Sequence, residues 1–170
     1  MKAKSFLLIA LSCLLVVGCK KSDDSNAEEQ FTKITAEQVK SYFPYAVDDR
    51  QLFISNIGYL YYTVAENSFT NTAGKMNIKV LLNGKDVYGS DYCTVELKAE
   101  VTDNKILKVD FTHSFTRTAH NITGSYTFDA SKGEDLSDEI TLSCGAIIKK
   151  NVGLLYYKDY SSYEWNLYTN

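Results

Sequence analysis

The chain has 170 residues, 45% of them hydrophobic, with a single proline and 21 acidic against 18 basic side chains. Length and composition fit one domain with a single core of moderate size. The acidic balance gives nucleic acid and anionic lipid no electrostatic reason to bind.

In chain order, Lys2 and Lys4 precede an apolar run from Phe6 to Val17. It is too short to cross a bilayer as a mature helix and reads as an export signal over residues 1–18. The run ends in Val16-Val17-Gly18-Cys19, which resembles the lipobox of bacterial lipoproteins. That resemblance implies cleavage before Cys19, acylation of its thiol and a membrane lipid anchor; an ordinary secretory signal with a coincidental cysteine is the alternative. Without residues 1–18 the net charge is −5, from 16 basic and 21 acidic side chains. Residues 19–30 continue with KKSDDSNAEEQ, which lacks aromatic and β-branched residues and reads as a disordered tether. Eleven such residues span roughly 20 Å root-mean-square. The stretch is similar to the lysine- and acid-rich tethers of Bacteroidetes-type lipoproteins, implying the outer membrane and leaving its periplasmic and surface faces both open.

Residues 31–170 read as an antiparallel β domain, a curved sheet or half-barrel, with one short N-terminal helix. Ile34-Thr35-Ala36-Glu37-Gln38-Val39 forms a capping box with an Ile34–Val39 staple. The helix over Ala36–Phe43 presents Val39, Tyr42 and Phe43 on one side and stops at Pro44. Arg50–Val64 fits both a helical stripe and a strand, and its β-branched and aromatic content favours strand. Asn83-Gly84 predicts a two-residue hairpin between Val80 and Val87. Tyr92–Val101 and Leu107–Phe115 alternate strictly and are joined by the three-residue loop 103–105, which keeps Val101 and Leu107 on one face. Ile122, Gly124, Tyr126 and Phe128 make another inward set, and Ile140, Leu142, Cys144, Ala146 and Ile148 the next. Val152–Tyr157 and then Tyr163, Trp165 and Leu167 close the domain, for eight or more strands.

Two uncharged words, NIGYLYY at 56–62 and NVGLLYY at 151–157, nearly repeat. In each, a glycine after a β-branched residue suits a strand entered through a bend. Tyr42-Phe43-Pro44-Tyr45-Ala46-Val47-Asp48-Asp49 resembles the "YFPL..G" opening of a broad group of secreted and lipid-anchored bacterial domains. Asn83-Gly84-Lys85-Asp86-Val87-Tyr88 is similar to the group's central "NGK.YY". Asn151-Val152-Gly153-Leu154-Leu155 with Tyr163-Glu164-Trp165-Asn166-Leu167 resembles its "GVGLV … WEL" closing strands. Asp48 stands where the group has glycine, and Gln51 where it has tryptophan. The group is distantly similar to the LolA/LolB half-barrel lipoprotein carriers, which implies a curved antiparallel sheet with a helical lid over an apolar concavity, and no catalytic residue.

The remaining residues offer little chemistry. His113 shares a face with Val109 and Phe111 and reads as a core or rim imidazole with one backbone partner; His120 lies in a turn without a ligand at metal spacing. Glu134, Asp135, Asp138 and Glu139 crowd one loop, but their spacing matches no EF-hand. Asp110 and Glu100 face outward on neighbouring strands. No hydrolase elbow, HExxH or phosphate-binding glycine loop occurs, so neither catalysis, a metal nor a cofactor is expected. Cys93 and Cys144 remain after loss of Cys13 and acylation of Cys19, and two readings stay open: a disulfide or a pair of buried thiols.

Tyrosines concentrate around the two repeated words. The expectation is a non-enzymatic, lipid-anchored module that binds an apolar or amphiphilic ligand or a partner protein in its concavity, with Leu60, Tyr62, Tyr157 and Trp165 lining the cleft. The alternatives are a carbohydrate-binding surface module with a platform of Tyr160, Tyr163 or Tyr168, and an immunity-type interaction lipoprotein.

Overall fold

Thr35 caps the first helix as its pattern requires. The Gln38 amide donates to Thr35 Oγ1 (3.2 Å), and the Thr35 amide donates to Gln38 Oε1 (2.8 Å). The computed structural model describes residues 33–116 and 118–169. The expected export signal, the acylated Cys19 and the tether lie outside the described residues. Helix α1 covers Ala36–Ser41, two residues short of the expected end. The chain then makes strands β1 (Arg50–Ser55), β2 (Gly58–Thr72), β3 (Lys75–Lys85), β4 (Asp91–Thr102), β5 (Ile106–Phe115) and β6 (Asn121–Asp129). A 3-10 turn at Ala130–Lys132 precedes β7 (Glu139–Thr141), β8 (Ile147–Lys149), β9 (Gly153–Lys158) and β10 (Glu164–Leu167).

All ten strands form one antiparallel sheet in the order β6-β5-β4-β3-β2-β1-β10-β9-β8-β7, nearly closed into a barrel. The all-β expectation with one short N-terminal helix is met. Every pairing joins sequence neighbours except β1–β10, where the first strand meets the last through Phe53↔Leu167. The seam between β6 and β7 is bridged by a pair of serines: the Ser143 amide donates to the Ser125 carbonyl (3.0 Å), and the Ser125 amide to Ser143 Oγ (3.0 Å). Gly124 makes this approach possible, since a Cβ there would run into Cys144.

Antiparallel order places the turns β1–β2, β3–β4, β5–β6, β7–β8 and β9–β10 at one end, the turn end. The other end is plugged. Val39, Tyr42, Phe43 and Tyr45 are buried there with Ile34. Three contacts pin this segment: the Ile34 amide donates to Asn104 (2.8 Å), the Asn151 amide donates to Ser41 (2.6 Å), and the Tyr42 hydroxyl donates to the Ser137 carbonyl. Tyr45 lies against Gly153, whose φ of 89° belongs to the left-handed region, and its hydroxyl accepts from the Leu154 amide (2.6 Å). A side chain, rather than a second backbone, therefore occupies the space this glycine leaves.

Three sequence expectations are corrected. Asn83-Gly84 is no hairpin: both residues lie inside β3, and the chain turns at 86–90, where Asp86 Oδ1 accepts from the amides of Tyr88 and Ser90 (2.9 Å each). Cross-strand pairing wins over the local turn signal here because Gly84 supplies room that an aromatic ring fills. Residues 140–148 are two short strands around a turn at 142–145, with Gly145 at φ 83°, so Cys144 sits in a turn rather than on an inward strand position. Arg50–Val64 is strand, as favoured, but is broken at Asn56-Ile57 into the β1–β2 hairpin, with Ser55 opposite Gly58.

The loop 103–105 and its register are as expected, with Val101 opposite Leu107. Asp103 (φ 55°) and Asn104 (φ 54°) take the left-handed geometry that such residues tolerate best. Both repeated words are turn-plus-strand units, Asn56-Ile57 leading into β2 and Asn151-Val152 into β9. Asp48 adopts φ 71°, a geometry suited to glycine.

Candidate functional site

The last tyrosine of each repeated word points into the barrel, and the two meet there. Tyr62 and Tyr157 are fully buried with their hydroxyls 2.7 Å apart, and Tyr62 also lies 3.0 Å from the Cys93 sulfur. Register explains the second contact. Tyr62 of β2 is opposite Gly84 of β3, which is opposite Cys93 of β4, so the ring crosses the glycine to reach the thiol. A Cβ at Gly84 would stand 2.7 Å from the sulfur and 2.8 Å from the Tyr62 ring. Burial raises both phenols well above their ordinary range and pushes the Cys93 thiol up to about 12, so all three are neutral hydrogen-bonding groups at physiological pH.

Trp165 stacks on Tyr157 (centroids 6.4 Å, planes 13° apart), and its indole N–H donates to Asp159 Oδ2 (3.1 Å). Asp159 is itself buried. Its Oδ1 accepts from the amides of Ser161 (2.9 Å) and Tyr163 (3.0 Å), so this one carboxylate shapes the β9–β10 turn. His113 completes the cluster, packed against Phe115 (4.3 Å) and edge-on to Tyr157 (4.9 Å). It is 0% exposed, and neither ring nitrogen has a partner among the described residues. The expected backbone partner is absent, and burial lowers its pKa to about 4.

Leu60, Tyr62, Tyr157 and Trp165, expected to line a cleft, are therefore at most 3% exposed and belong to the filled core. With the sheet almost closed, these inward residues face one another across the interior rather than a concavity. The disulfide reading fails as well: Cys93 and Cys144 are both free, the first buried beside Tyr62 and the second half-buried at the β6 seam. Among the described residues no group of three or more His, Cys, Asp or Glu could hold a metal, and no helix is long and apolar enough to cross a membrane.

An open site lies outside the barrel. Between the β1–β2 and β9–β10 turns, a groove of about 650 Å³ is lined by Ile54, Ser55, Asn56, Ser162, Tyr163, Glu164 and Asn166. Register brings two of these together, because Ile54 pairs with Asn166 in an outward row that runs from Tyr59 through Ile54 and Asn166 to Tyr156 across β2, β1, β10 and β9. Three strand steps make this row about 14 Å long at the usual sheet spacing. Tyr61 sits edge-on to Tyr59 (5.5 Å), and the Tyr168 amide donates to Leu52 (2.8 Å) in the next row. Lys158 and Glu164 pair across β9–β10 (3.0 Å) beside Tyr156.

The outer face of β3–β6 differs: its rows include Lys79, Lys98, Asp110 and Ser125, and beside them Leu81, Glu96, Thr112 and Thr123. The barrel thus has an aromatic arc and a polar arc. Of the expected platform, Tyr163 lines the groove and Tyr168 flanks it, whereas Tyr160 turns toward Phe115 (4.6 Å) and His120 (5.6 Å). Sequence reading missed Ile54, Asn56 and Asn166 because they meet only through the β1–β10 pairing. Comparison with family models, curated proteins and solved structures finds no match to the chain.

Proposed function

We propose that this protein is a non-enzymatic, lipid-anchored module of the outer membrane that binds carbohydrate in the groove between the β1–β2 and β9–β10 turns. The observation that carries the reading is the composition of that groove. A phenol ring, two carboxamides, a carboxylate and two hydroxyls converge in an open surface depression, while the interior is filled by its own side chains. Sugars present an apolar C–H face and a ring of hydroxyls, so they need a flat aromatic beside a few fixed polar groups. Tyr163 supplies the first; Asn56, Asn166 and Glu164 supply the second. Anchoring through Cys19 rests on the lipobox resemblance and is tested by fatty-acid analogue labelling, which Cys19→Ser should abolish.

The direct test is affinity electrophoresis of the purified protein through gels containing soluble polysaccharides, followed by titration of the best one. Tyr163→Ala should weaken binding at least tenfold with an unchanged far-UV spectrum. Absence of retardation by every polysaccharide, or full binding by Tyr163→Ala, would reject the reading.

A protein partner is the second reading, and the turn end favours it. Tyr88 is 90% exposed at the tip of its turn, with Val87 and Ile57 also exposed. Rigid aromatic tips of this kind serve as interface anchors. A partner would then engage the rim, and Tyr88→Ala rather than Tyr163→Ala would abolish its binding.

A further inference from the structure

The same β9–β10 turn that forms one wall of the groove also covers a buried base. His113 packs on Phe115 and Tyr157. On the solvent side, Phe115 is covered by Tyr160 of the turn, and Tyr157 is held by Trp165, whose indole is fixed by Asp159 of the turn. Ser162, Tyr163 and Glu164, immediately following, line the groove. Raising the turn would therefore dismantle the groove wall and give water a path to an imidazole whose two nitrogens have no partner among the described residues.

We infer that the β9–β10 turn is an acid-released cover: closed, it completes the ligand groove, and open, it hydrates His113, so that acid favours the open form and weakens ligand binding. The inference rests on the groove reading for the identity of the ligand, but the cover itself does not. A two-state element biased by proton binding to one state is all that the coupling requires. By reciprocity, a ligand that needs the closed turn must bind less tightly as acid populates the open one.

The titratable surroundings are few. Tyr157 comes from β9, Tyr62 from β2 and Cys93 from β4, all neutral through burial, and the Tyr92 phenol of β4 lies edge-on to Phe115 at 5.9 Å. From β6, the residue opposite His113 is Ile122, which cannot titrate. Asp159 is the acidic side chain of the turn, and its oxygens are already committed to the Ser161 and Tyr163 amides and the Trp165 indole. His120 touches Tyr160 from the opposite side and serves as the control. Burial alone depresses the His113 pKa, from 6.5 to about 4. An open form that restores the hydrated value should then gain roughly twentyfold in population between pH 7 and pH 5.

Amide hydrogen exchange on the ligand-free protein reads this directly. The reporters are the Ser161 and Tyr163 amides, with rates corrected for the intrinsic pH dependence of exchange. The wild type should lose about twentyfold in protection from pH 7 to pH 5. His113→Phe, or His113→Leu should the first fail to fold, should lose less than twofold, while His120→Ala should behave as wild type. Flat protection in the wild type, or the same acid response in the His113 variants, overturns the cover. Because no ligand is present, a silent polysaccharide screen leaves this result standing, and a flat exchange profile leaves the groove reading standing.

Discussion

Replacing Tyr62 by phenylalanine isolates what the two repeated words do for each other. The Tyr62 hydroxyl is a hub, 2.7 Å from the Tyr157 oxygen and 3.0 Å from the Cys93 sulfur, in a region with no exposure to water. Removing it leaves the Tyr157 hydroxyl buried without its partner, and an orphaned buried polar group costs about 1–3 kcal/mol. Tyr157→Phe is milder, because the Tyr62 hydroxyl keeps the thiol as a partner, and should cost about 1 kcal/mol. In the double variant no phenol is left to be orphaned. Its cost should therefore fall short of the sum by about 1 kcal/mol or more, the signature of two groups that act as one. Urea unfolding followed by far-UV circular dichroism measures this, since a loss of 2 kcal/mol moves the midpoint by about 1 M for a domain of this size. Strictly additive losses, or a Tyr157→Phe cost exceeding that of Tyr62→Phe, would refute the hub.

Three further outcomes follow from the same core. His113 is held neutral by burial, with its pKa lowered from 6.5 to about 4. Its contribution is fully present above pH 6.5 and is lost as pH falls toward 4, so wild type should lose about 3 kcal/mol more than His113→Phe between pH 7 and pH 4. Equal losses in urea titrations at the two pH values would contradict this. Gly84→Ala should destabilise by about 2 kcal/mol, because the new methyl must displace the Cys93 sulfur or the Tyr62 ring; thermal unfolding checks it, and a neutral effect would mean the ring does not cross at Gly84. Peptide mass mapping after native alkylation should show both cysteines of the described residues as free thiols, with half-buried Cys144 modified first and Cys93, whose thiolate is scarce because burial pushes its pKa up to about 12, modified only on unfolding.

The sequence by itself determined what nearest neighbours along the chain can settle. Thr35 and Gln38 are three residues apart, so their reciprocal caps form within one turn of helix. Strict alternation in Tyr92–Val101 and Leu107–Phe115, with a three-residue loop between, leaves one register in which both apolar sets are buried, and that register is observed. Tertiary structure decided everything that required strands distant in sequence to meet. Gly84 looked like a turn residue, yet it is a strand residue because Tyr62, 22 positions earlier, needs its empty side-chain position to reach Cys93. The inward aromatics looked like the lining of a cleft until pairing of β1 with β10 brought Tyr157, with Trp165 stacked on it, round to face Tyr62 and Phe53. That same pairing set Ile54 beside Asn166 and built the outer groove. Periodicity states which way a side chain points, but only closure of the sheet states whether it points at water, at a ligand or at another side chain.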